Sequence, residues 1–77
     1  MNLPGVIVLF ETVRRIPHDQ EFTSRDVLDA MKPTLQYNGI PIPNTASVAR
    51  VMLARGLAKR VGGVGEYNLA LFRRVIM

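Results

Sequence analysis

The sequence predicts a small α+β domain in which three helices are followed by a two-stranded β-hairpin, and three features of the chain point there. Val6, Leu9, Phe10 and Val13 recur at the spacing that lines up one face of a helix. Thr23-Ser24-Arg25-Asp26 and Asn44-Thr45 each set a capping side chain ahead of a new apolar pattern, as helix starts do. Leu57 to Val61 and Glu66 to Ala70 are short strand-like runs, separated by Gly62-Gly63-Val64-Gly65.

The first helix is expected to begin near Pro4, because proline is tolerated in a first turn. Pro17 disfavours helical geometry at the residue before it, so this helix ends at Arg15 or Ile16. A polar turn, Pro17 to Glu21, leads to Phe22. Thr23 and Asp26 then match the reciprocal cap in which a hydroxyl and a carboxylate each satisfy one orphan amide. The second helix buries Val27, Leu28 and Met31, with Phe22 packed back against it. It is expected to stop at or just before Pro33, whose ring clashes with the preceding turn.

Residues 32–43 then form a loop with three prolines and an Asn38-Gly39 turn signal. Its Leu35, Tyr37, Ile40 and Ile42 either tuck onto the core or offer a surface to a partner. The third helix starts at Asn44 or Thr45 and ends at Arg55, with Gly56 as the left-handed terminator. Val48, Ala49, Met52 and Leu53 form its inward face, while Ala46, Ser47, Arg50, Val51 and Ala54 point away. In the returning strand, Tyr67 and Leu69 alternate toward the core. Residues 71–77 either prolong that strand or dock as a tail, on the domain itself or on a second copy.

Seventy-seven residues allow one domain, spanning 1–77, with no room for a second core. A composition of 48% hydrophobic and 21% charged residues is that of a folded chain and not of a disordered one. There is no cysteine, which excludes disulfides and thiolate metal sites. The longest apolar run, Val6 to Phe10, is far below the ~20 residues of a membrane span, and nothing around it resembles a secretory leader. The expectation is a cytoplasmic protein with no membrane contact. Its net charge of +4 is uneven. Residues 1–39 carry four cations against five carboxylates, whereas residues 40–77 carry six against Glu66 alone. Basic charge concentrated in one region points to a polyanionic partner.

Catalytic chemistry finds no foothold. Asp26 and Asp29 are the one acid pair, but Asp26 completes a cap and Asp29 lies a turn further along the same helix. His18 is the single histidine and has neither a nucleophile nor a second metal ligand beside it. Gly62-Gly63-Val64-Gly65 is no phosphate-cradling loop, since such loops open a helix and a strand pattern follows here. No catalytic residue, metal site or cofactor is expected.

The order of elements, together with Arg55-Gly56-Leu57 leading from the third helix into the ribbon, resembles the winged helix-turn-helix superfamily over about residues 4–71. That resemblance implies double-stranded DNA as the partner, the third helix as the recognition element and the ribbon as the wing. The helix start Asn44, Thr45, Ala46 and Ser47 offers short or polar side chains, and Arg50 can pair bidentately with guanine in the major groove. Lys59, Arg60 and the glycine tip that includes Gly63 would lie along the backbone. A small transcriptional regulator, or an accessory factor of a phage, plasmid or archaeal element, fits this size and charge, with a homodimer as a natural source of added stability. The competing expectation is a protein-interaction module of the same fold. It would contact a host or partner protein through the loop at Leu35 to Ile42 and through the tail.

Overall fold

The computed structural model describes all residues, Met1 to Met77. It comprises α1 (Leu3–Arg14), α2 (Ser24–Tyr37), α3 (Thr45–Ala54), β1 (Ala58–Val64) and β2 (Leu69–Arg74). The two strands pair antiparallel, so the fold is three helices followed by a hairpin, as the sequence predicts.

α1 opens on Asn2, whose side-chain oxygen accepts from the Gly5 amide at 2.9 Å, with Pro4 inside the first turn. Val6, Leu9 and Val13 face inward, but Phe10 is exposed at the edge of the stripe. α2 opens on the expected reciprocal cap. The Asp26 amide donates to Thr23 Oγ1 at 3.2 Å, and the Thr23 amide donates to Asp26 Oδ2 at 2.9 Å.

α2 does not stop at Pro33; it continues to Tyr37, which shortens the expected loop to residues 38–44. An interior proline costs about 3 kcal/mol. Here Pro33 lies on the exposed face, where the carbonyl it leaves unpaired can take water. The next turn carries Leu35 fully into the core, which contributes about 2–3 kcal/mol. The helix then closes with Gly39 in the left-handed region (φ 64°), its amide donating to Gln36 O and that of Ile40 to Leu35 O at 2.9 Å. Leu35 is therefore core and Ile40 packs against it, while Tyr37 and Ile42 stay exposed.

α3 ends by the same device. Gly56 (φ 66°) donates to Leu53 O, and the Leu57 amide donates to Met52 O at 2.9 Å. Val48 and Met52 are its buried residues; Ala49 and Val51 pack half-buried against the core and Leu53 faces solvent, so the inward face is rotated toward Val51, which was expected to point away.

The ribbon departs most from expectation. Gly62 and Gly63 are strand residues, and a bulge between Arg60 and Gly62 absorbs the irregularity. The turn lies later, over residues 65–68, with Gly65 (φ 78°) and Asn68 (φ 52°) both left-handed. Tyr67 is consequently at an exposed tip and Leu69 outside the core. β2 instead reaches the core through Phe72, so residues 71–74 belong to the strand and not to a tail. Phe72 also pairs with Phe22: each backbone amide donates to the other's carbonyl, at 3.0 and 2.7 Å, and the rings sit 6.3 Å apart. Phe22 thus acts as a one-residue third strand as well as a cover on α2. Twelve residues, drawn from all five elements together with Phe22 and Leu57, close a single core.

Candidate nucleic-acid interface

Asn44 caps α3 by accepting from the Ser47 amide at 2.8 Å through Oδ1, so only its side-chain NH2 remains uncommitted. Ala46 is exposed and Ser47 half-buried, which keeps the first turn of α3 slim. Arg50 is exposed, and its Nη2 donates to Ser47 Oγ at 3.3 Å. That contact holds the guanidinium over the helix start while leaving its other donors free. Thr45 borders a cleft of about 210 Å³ with Thr23, Ser24, Arg25, Leu69 and Ala70. The N-terminal ends of α2 and α3 therefore meet at one cleft, where unpaired amides and the two helix dipoles favour negative charge.

On the ribbon, Lys59 lies opposite Arg73. Like charges so placed repel. Arg73 is offset by Glu21 at 3.1 Å, and Lys59 has no carboxylate within ion-pair distance. Arg60 is less free than expected, since its guanidinium folds back on the ribbon, with Nε donating to Gly62 O at 3.0 Å. Gly63 contributes geometry, not contact chemistry: a Cβ there would overlap the Asn68 side-chain amide.

The ten cations sort into two groups by their partners. Arg14 pairs with Glu11, Arg25 and Lys32 both pair with Asp29, and Arg73 pairs with Glu21. Arg74 is tied to the last turn of α1 by a bond from Nη1 to Arg14 O at 2.6 Å. Like Arg74, the remaining five, Arg15, Arg50, Arg55, Lys59 and Arg60, have no carboxylate partner. Four of these five lie between the second turn of α3 and the start of the ribbon. Arg55 was not among the residues expected at the site. Its signal was there to read: a cation at the helix terminus with no acid anywhere in α3.

The acid pair of α2 is spent on structure, Asp26 in its cap and Asp29 between two cations. No three histidine, aspartate or glutamate side chains converge, and no helix is long and apolar enough to cross a membrane. Comparison with family models, with curated proteins and with solved structures returned no match.

Proposed function

We propose that this protein binds double-stranded DNA without catalysing a reaction, in the manner of a winged helix. The observation that carries this reading is the cluster of cations without a carboxylate partner, Arg50, Arg55, Lys59 and Arg60, running from α3 past its end into the first exposed residues of the ribbon. Elsewhere the chain pairs four of its six arginines and lysines with carboxylates; here it leaves all four without one, free for a polyanion.

α3 enters the major groove by its slim first turn, with Ala46 and Ser47 allowing close approach and Arg50 presented toward a guanine edge. Thr45 and the amides at the start of α2 meet a phosphate at the shared cleft. Lys59 and Arg55 contact the backbone, and Arg60 stiffens the ribbon across its bulge. Such a domain suits a small transcriptional regulator or mobile-element accessory factor, and this reading puts it in the cytoplasm with its DNA.

The test is a titration of labelled duplex with wild-type protein and with the double variant Arg50→Glu, Lys59→Glu, both verified as folded by circular dichroism. The variant should lose at least about a hundredfold in affinity, since it removes two phosphate or base contacts and adds two repulsive charges. Unchanged affinity would overturn the assignment.

A second reading, a protein-interaction module, draws on the ribbon tip. There Val64, Tyr67 and Leu69 are exposed beside Glu66, a combination poorly suited to a phosphate surface. Its earlier carriers are weaker, because Leu35 and Phe72 are buried in the core. Wild-type protein that is folded yet binds no duplex at any salt would favour this reading.

A further inference from the structure

We infer that this chain forms a two-fold dimer through the exposed face of α1, a contact that shares only Arg55, at its rim, with the proposed nucleic-acid surface. Leu3, Ile7 and Phe10 are 65%, 56% and 39% exposed, and they follow the four-then-three spacing of a helix-packing seam. Beside them runs a groove of about 340 Å³ lined by Leu3, Val6, Ile7, Phe10, Arg55 and Leu57. Val6 and Leu57 form a buried apolar floor, and Ile7 and Phe10 stand proud along its edge. Projecting side chains and a receiving groove thus lie on one face. That is what an isologous contact requires, since each copy must offer both knob and hole.

Charge selects the occupant. Residues 1–10 contain no ionisable side chain, in a protein whose net charge is +4. Two copies approaching by α3 or the ribbon would set Arg50, Lys59 and Arg60 against one another; approaching by α1 they meet apolar side chains with Arg55 alone at the rim. An acidic partner, which the basic side of the molecule would attract, gains nothing from this face beyond Arg55 at its rim. The chain's own terminus does not fill the groove either, because Val75 donates to Leu57 O while residues 75–77 are absent from the lining. A second copy of the same apolar face brings both a ridge and a groove, and no like charge beyond Arg55. For a chain of this size, burying that stripe also adds apolar area that its own 14 buried residues do not supply.

Sedimentation equilibrium over about a thousandfold range of protein concentration, without DNA, tests this independently of any nucleic-acid binding. The weight-average mass should rise from 8.6 kDa toward twice that value, and added salt should strengthen the association or leave it unchanged. Ile7→Glu, a surface change that leaves the core intact, should weaken dimerisation at least about tenfold. Tyr67→Glu, placed at the distant ribbon tip, should leave it unaltered. A protein monomeric at every concentration would overturn the inference, and so would a dimer that survives Ile7→Glu.

Discussion

The ribbon has two unlike halves. At its root, Leu57, Ala58 and Phe72 are buried, and Phe72 is bonded to Phe22 through both backbone groups. From Lys59 outward to Leu69 every residue is exposed, on both faces of the pair. A two-stranded ribbon with no covered face is marginal in water by itself. The outer half is therefore held by its ladder, by the folded-back Arg60 and by the left-handed turn at Gly65 and Asn68, while the core anchors only the root. Stability is concentrated in one half and unpaired charge and exposed surface in the other, the division expected of an element built to touch something else.

That contrast is breakable in a graded way. Phe72→Ala, at the root, should cost about 3–5 kcal/mol in urea unfolding, because it empties a core position and leaves Phe22 without its neighbour. A loss below about 1 kcal/mol would mean that the root is not an anchor. Gly56→Ala should cost about 1–2 kcal/mol by the same measurement, since an alanine there must adopt the left-handed geometry that lets Leu57 turn into the ribbon. Tyr67→Ser, at the tip, should change stability by no more than about 0.5 kcal/mol. A larger loss would show that the tip packs on something in the folded chain.

Much of this layout was written in short-range signals. Asn44 and Thr23 carry their caps within three residues, and Gly56 terminates α3 next to the residues it serves, so those boundaries were legible. What escaped depended on distant partners. Pro33 looks like a stop until Leu35 is known to be fully buried on the far side of it. Phe22 looks like a staple on α2 until Phe72, fifty residues later, arrives to bond with it. The glycines at 62 and 63 look like a turn, yet an exposed strand with a bulge tolerates them, and the turn is set by Gly65 and Asn68.

The site divides along the same line. Arg50, Ser47 and Lys59 are presented as their types imply, because nothing competes for their outer donors. Asn44 and Arg60 are partly consumed by local bonds, and Arg55, a cation ending a helix that holds no acid, was legible but passed over.

The most direct test of the central claim is fluorescence anisotropy of labelled random-sequence duplex titrated with wild-type protein at about 50 and 200 mM salt. Arg55 and Lys59 engaging phosphates release about two counterions, so affinity should fall at least about tenfold across that interval. Binding that is absent from folded protein, or equally tight at both salt concentrations, would contradict the account.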